Sequence, residues 1–436
     1  MAFDSRSPPS RQRGLINIAT RRATLHTSTG APTLTFEARL QSDLQLTANG
    51  GSRTPTFTRA STAYVLGYAA GAAVADGPLW ILCASGEARF TGARRVAEND
   101  WSTADVNGLA LTTANGASSV CCDSRGPFGY QAEGARADVL GTTAAIRRVM
   151  TDVGWVVGAT MTVGSATGVD GVASAGASLT GGAVEATNII LFTTVLASAA
   201  RTYSAWVRRK TGTGTVRMTD NNGTNWTDIT LTTTYQQFQL TRTQANPIVG
   251  FQIATNTDAI EVDFNTIEAA AFANPTPIPV NVSKAADVLT YVQSGNFSAT
   301  VGAVYAEAAD GQADQPKRGW LVGLNSAGEG IYKRTNTASS VSAIYDGTTE
   351  VITAASITWA TPNKVIGAYS GSVQSIVANG GAVATGAFDG NMNVAASFNI
   401  GSIPSGDDTT QFYGTIRNVR IYAQALPSAS LVAMTT

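Results

Sequence analysis

The sequence predicts an all-β chain, with an N-terminal extended arm and connector followed by two β-sandwich, jelly-roll-like domains. Three observations carry that expectation. Of 436 residues only 14% are charged while 44% are hydrophobic, which excludes a disordered chain and supplies material for more than one core. Forty-four glycines, with abundant Thr, Ala, Ser and Val, favour strands and tight turns over helices. Turn signals recur about every eight to twelve residues over the later part of the chain, as in sandwiches and jelly rolls. The net charge of −1 excludes bulk attraction to nucleic acid as the main business of the protein.

Residues 1–30 read as a basic arm. Arg6, Arg11, Arg13, Arg21 and Arg22 have only Asp4 as a nearby acid, and Pro8-Pro9 forbids a helix there. Such a segment has no core of its own, so it gains order only by lying on a partner surface, and these arginines are the candidate attachment residues. It lacks the interleaved aromatics of a nucleic-acid binder. No apolar h-region opens the chain, so no signal peptide is expected. The longest apolar run, Ile189 to Ala200, is broken by threonines and too short to span a bilayer.

Residues 31–138 read as a β-rich connector. TLTFEARL and SDLQLTA alternate enough for two strands before Gly50-Gly51 breaks the chain. Residues 139–274 read as the first sandwich. In RTYSAWVRRK, Tyr203, Ala205 and Val207 share one face, with Ser204, Trp206 and Arg208 on the other. Asn222-Gly223 signals a hairpin. Phe238 and Leu240 turn inward in QQFQLTRT. In AIEVDFN, Ile260, Val262 and Phe264 are expected inside and Glu261, Asp263 and Asn265 in solvent. Residues 275–281, in the run NPTPIP, read as an extended, semi-rigid linker. Residues 282–436 form the second sandwich, in which NKVIGAYSGSVQSIVANGGAVATG reads as three strands joined by a Gly turn and an Asn379-Gly380-Gly381 turn.

Several of these stretches carry a resemblance. GYQAEGARADVL (residues 129–140) is similar to the GLLVEGARTNLL segment of phage fibre and spike proteins with a carbohydrate-binding-type sandwich. Asp138 stands where Asn is usual, and Gln131-Ala132 replaces an apolar pair. PTFTRASTAYV (55–65) resembles FTRASTATYV, ARFTGARRVAE (88–98) resembles PRFTGARRVEN, and VSKAADVLTY (282–291) resembles TRAADVLTY, in the family's order. The Thr202–Arg209 strand resembles TYTFSVYVKA, and Trp155 stands at the family's early tryptophan, without the SEDF segment before it. FYGTIRNVRIYAQALPSASL (412–431) resembles the last strand of laminin-G-like and concanavalin-like sandwiches, with Gly414, Ile416, Val419, Ile421, Tyr422, Leu426 and Leu431 in the matching places. The resemblance implies a structural virion protein, a fibre, spike or capsid-decoration subunit. Attachment through the N-terminal region to capsid or tail proteins, a homotrimer and possible adhesion to host-surface glycan follow from it. A receptor-binding tail adhesin and, behind it, a polysaccharide depolymerase are the alternatives.

Chemistry is sparse. His26 is the only histidine, no G-x-S-x-G elbow accompanies it, and neither GxxxxGK[ST] nor a strand-borne GxGxxG occurs. Cys83, Cys121 and Cys122 form neither an even disulfide set nor a zinc site, and are expected to be reduced thiols. A glycosidase needs two carboxylates about 5 to 9.5 Å apart. Glu261 and Asp263 have suitable spacing but read as solvated side chains. With no parallel β-helix repeat either, no catalytic turnover and no cofactor are expected. Asp407 and Asp408 could offer oxygens to calcium, though the set is too short for an EF-hand and a solvated turn is the default. Trp155, Trp206, Trp226, Trp320 and Trp359 could stack on sugar rings. Trp206 is foremost because it is out of phase with its apolar neighbours, although a subunit interface is the favoured use of that face.

Overall fold

The alternation in Ala199–Thr211 and its neighbours builds one sandwich, and strands from both ends of the sequence build another. In the computed structural model the described residues are 34–38, 55–58, 60–61, 63–69, 77–83, 85, 93–95, 111–112, 118–119, 121–122 and 130–132, and 134–436 apart from 271, 275, 282, 311–317, 336–339, 394 and 405–409. The arm arginines, His26 and the Asp407-Asp408 pair therefore lie outside the described residues, as do the cysteine side chains and the expected SDLQLTA strand.

The first sandwich packs two five-stranded antiparallel sheets. One runs Trp155–Val157, Ile189–Thr193, Ile248–Ile253, Val216–Thr219, Thr227–Ile229; the other runs Thr162–Ala166, Gly176–Thr180, Ala259–Glu268, Ala199–Thr211, Gln236–Gln244. Tyr203, Ala205 and Val207 fill the space between them with Leu179, Ile190, Met218, Phe251 and Val262, and Phe238 and Leu240 pack at its margin. Each fully buried large side chain contributes about 1.5–3 kcal/mol, so this interior suffices for a core. Asn222 and Gly223 both take positive φ, 61° and 66°, as the tight hairpin turn requires.

Strict alternation fails at two points, between Ser204 and Trp206 and between Arg209 and Thr211, and the first shapes the face that follows. Along the pairing of Ala199–Thr211 with Ala259–Glu268, Ser204 faces Thr266 but Trp206 faces Asp263, so one extra residue is inserted. Phe264 absorbs the bulge at φ 45°. Expected inside, it instead joins Val169, Trp206, Tyr235 and Val280 on the outer face. Asn265 then accepts the Tyr203 hydroxyl at 2.9 Å. Glu261, Asp263 and Asn265, expected in solvent, are all buried. The cause is cover: the short helix Ala144–Arg147 and the following Arg148 lie over this central strand.

The second sandwich is not confined to residues 282–436. Its first sheet orders Leu34–Ala38, Gly414–Tyr422, Val301–Asp310, Asn363–Ser370, Val373–Ala378 and Ala384–Ala387, with Tyr130–Ala132 also on Gly414–Tyr422. Its second orders Pro55–Thr58, Val288–Val292, Ser397–Ile400, Arg318–Gly323, Gly330–Thr335, Ser340–Tyr345 and Glu350–Ile352. Three strands of the stretch expected to be a separate connector thus complete this sandwich. Phe36 explains why: it is 1% exposed and sits edge-on to Tyr291 and Phe398, with centroids 4.9 and 5.2 Å away. The helix Ser428–Thr435 follows the final strand and seats Leu431 on Tyr305, Ile366 and Val377. A further four-stranded sheet orders Gly77–Cys83, Ala63–Ala69, Ala93–Arg95 and Cys121–Cys122.

The two sandwiches meet through the 134–140 stretch. The Arg136 guanidinium lies over the rings of Phe272 and Tyr413, at 4.4 and 4.7 Å, and 3.3 Å from Glu268. Its backbone pairs with that of Lys284 in both directions at 2.8 Å. The expected extended linker is instead a buried strap: Thr276 and Ile278 are within the interior, and Arg147 donates to the Ile278 and Pro279 carbonyls at 2.7 and 2.9 Å. Prolines removed N–H donors here, and an arginine binds the carbonyls that remained.

Candidate functional site

The outer face of the sheet holding Ala199–Thr211 is where polar and aromatic groups converge. Two rows cross it. In one, Ser178, Glu261 and Arg208 stand side by side on three strands. In the next, Asp263, Trp206 and Gln237 do the same. Arg208 Nε is 2.5 Å from Glu261 Oε2, and its guanidinium lies 4.5 Å from the centre of the Tyr235 ring. Lys210 donates to Ser178 Oγ at 3.0 Å, and the Tyr235 hydroxyl to the Thr167 carbonyl at 2.9 Å. Trp206 and Tyr235 are half-buried, with Phe264 and Val169 beneath them.

Below this surface lies a closed ionic floor. Both oxygens of Asp263 accept from Arg148 at 2.8 Å, and the Val169 and Phe264 amides donate to the same carboxylate. Arg148 reaches Asp170 as well and stacks 4.2 Å over Phe264. Burial pushes the Asp263 carboxyl up, with Arg148 pulling it back. Burial also works against the charge on Arg148, but Asp263 and Asp170 outweigh it and raise its pKa above the ordinary guanidinium value. Burial, reinforced by Asp263, pushes the Tyr235 hydroxyl up. A Cβ on Gly168 would come within 2.4 Å of Arg148 and 2.8 Å of Asp263, so only glycine lets the chain pass this close.

The expected site residues scatter. Trp320 is fully buried against Tyr332, at 4.4 Å, and Trp359 against Phe412, so neither stacks on a ligand. Both fill interior volume that flanking polar residues did not reveal. Trp155 is buried too, its Nε1 donating to the Ile146 carbonyl at 2.8 Å. Trp226 is half-buried against Gly223 in the opposing sheet. Only Trp206 occupies the converging surface. Tyr235 and Lys210 were not foreseen; Lys210 follows Trp206 and Arg208 at period two, whereas Tyr235 sits in a turn and leaves no sequence signal. Among the described residues no group of three or more His, Cys, Asp or Glu is placed to hold a metal ion. No helix among them is long and apolar enough to cross a membrane.

No protein-family profile matches the chain, and no curated protein does. Solved structures do. Domain 4 of AbnA, a GH43 extracellular arabinanase from Geobacillus stearothermophilus in complex with arabinotriose, is 14% identical, covering 38% of this chain and 81% of its own at a TM-score of 0.28. The CBM22 tandem domain of Paenibacillus barcinonensis Xyn10C is 13% identical, covering 67% and 100% at 0.23. Domains LG4-5 of mouse laminin alpha1 are 11% identical, covering 54% and 87% at 0.23. These neighbours are carbohydrate-binding and laminin-G-like β-sandwich domains; none links the chain to phage. The fold class rests on the sheets themselves.

Proposed function

We propose that this chain is a structural protein of a phage virion surface, a fibre, spike or capsid-decoration subunit, which adheres to host-surface glycan through the Trp206 face. The phage assignment is supported by the ordered series of sequence segments described above. Adhesion is carried by one observation: half-buried Trp206 and Tyr235 lie beside Arg208 and Lys210 at the surface, with Glu261 and Ser178 buried next to them. A sugar offers apolar C–H faces to such rings and hydroxyls to such donors and acceptors. The protein acts as a binder without turnover, a reading supported by the arginine that holds each of Glu261 and Asp263. Attachment runs through the N-terminal region to other virion proteins, and the chain assembles as a homotrimer.

Two measurements on the full chain test this reading. Mass spectrometry of purified particles should find the protein at a fixed copy number, with many tens of trimers meaning capsid and a handful meaning tail. A glycan array should show binding to polysaccharide from the host surface. Absence from particles sinks the virion role, and a blank array sinks adhesion.

A further inference from the structure

The second sandwich carries a charged and aromatic cluster that the adhesion reading does not use. Arg318 and Arg334 stand directly opposite one another on neighbouring strands. Like charges so placed repel. On that face of the four strands between Arg318 and Ile352, the only acid among the described residues is Glu350. Its Oε2 lies 2.5 Å from Arg334 and its Oε1 3.5 Å from Arg318, and it also accepts from the Tyr332 hydroxyl. Two guanidinium groups around one carboxylate leave one positive charge in excess. Both arginines stay open to water, with side chains 46% and 36% exposed. Arg318 stands 5.2 and 5.3 Å from the rings of Tyr332 and Tyr345, the first buried and the second half-exposed.

A guanidinium presents five N–H donors in a planar fork, so one shared carboxylate cannot saturate two of them. The fork matches a second carboxylate better than it matches neutral hydroxyls. A ring face beside it suits the apolar side of a sugar. We propose that this face is a second, anion-selective subsite that takes the carboxylate of an acidic sugar between Arg318 and Arg334, with the sugar ring against Tyr345. Glu350 holds the two arginines in register and competes with the ligand carboxylate for them.

The test is calorimetric titration of the full chain with tetragalacturonate and with its methyl ester, at low and high salt. The acid should bind, more weakly as salt rises, and the ester at least roughly tenfold more weakly, since a charged hydrogen-bond partner is lost. The double variant R318Q/R334Q should lose binding of the acid by a similar factor while melting like wild type. Glu350→Gln should tighten it, because the internal competitor is neutralised; a purely structural role for Glu350 would weaken it. Trp206→Ala should leave it unchanged, which separates this site from the first. Equal affinity for acid and ester, no binding of the acid, an unaffected double variant, or weaker binding by Glu350→Gln would each overturn the proposal.

Discussion

Glu268 shows how far a single residue can set the pH response of this fold. Burial pushes its carboxyl from 4.5 up to about 7, with Arg136 pulling the other way. Between those values the folded chain keeps a proton that the unfolded chain releases, so stability falls as pH rises from 4.5 toward 7 and levels off above. The contribution is about 3 kcal/mol. Asp138 and Asp263, also raised by burial, add to the same fall. Glu268→Gln should therefore flatten the urea-denaturation stability of the protein over this window relative to wild type; an unchanged slope would show that Glu268 titrates normally. Asp263→Asn should cost about 3–5 kcal/mol, because it leaves Arg148 underpaired in the interior. Its companion Glu261→Gln, buried but paired with the half-buried Arg208, is the test of turnover: any halo on host lawns should persist. A lost halo with intact particle composition would promote the enzyme reading.

At the scale of elements, the strand Leu34–Ala38 makes the boldest demand. It pairs with Gly414–Tyr422 and delivers Phe36 into the second core, with Glu37 reaching Arg420 at 2.9 Å. Phe36→Ala should destabilise the second sandwich by about 3–5 kcal/mol, read as a shifted denaturation midpoint. No shift would mean that the strand is dispensable. TLTFEARL was legible as a strand because its alternation is local, whereas its partner lies nearly four hundred positions away and leaves no local mark. The same divide runs through the candidate site. Trp206 stood out against Ala205 and Val207 because period two is readable from neighbours. Phe264 was misplaced because a one-residue bulge inverts the phase of everything beyond it. Asp263 read as solvated because its cover, Arg148, comes from a helix a hundred residues earlier. Trp320 and Trp359 followed no alternation that would separate a ligand platform from a core.

For the whole molecule, the buried strap around Ile278 and the Arg136 contacts alter how attachment can be tested. Removing the residues after Pro279 would strip the partner strands from Leu34–Ala38, Pro55–Thr58 and Tyr130–Ala132, so failed incorporation there would report misfolding. Deleting residues 1–30 spares every one of these pairings. That variant should remain folded in solution yet be missing from particles, and full occupancy would show that attachment lies elsewhere. Light scattering of soluble protein should give a trimer, which assembly of open sheet edges favours; a stable monomer at micromolar concentration would contradict it. Adhesion through the Trp206 face is measured by paired calorimetric titration of wild type and Trp206→Ala with polysaccharide released from the host surface. Wild type should bind saturably, and the folded variant should bind at least roughly tenfold more weakly. Equal binding by the two proteins would contradict it.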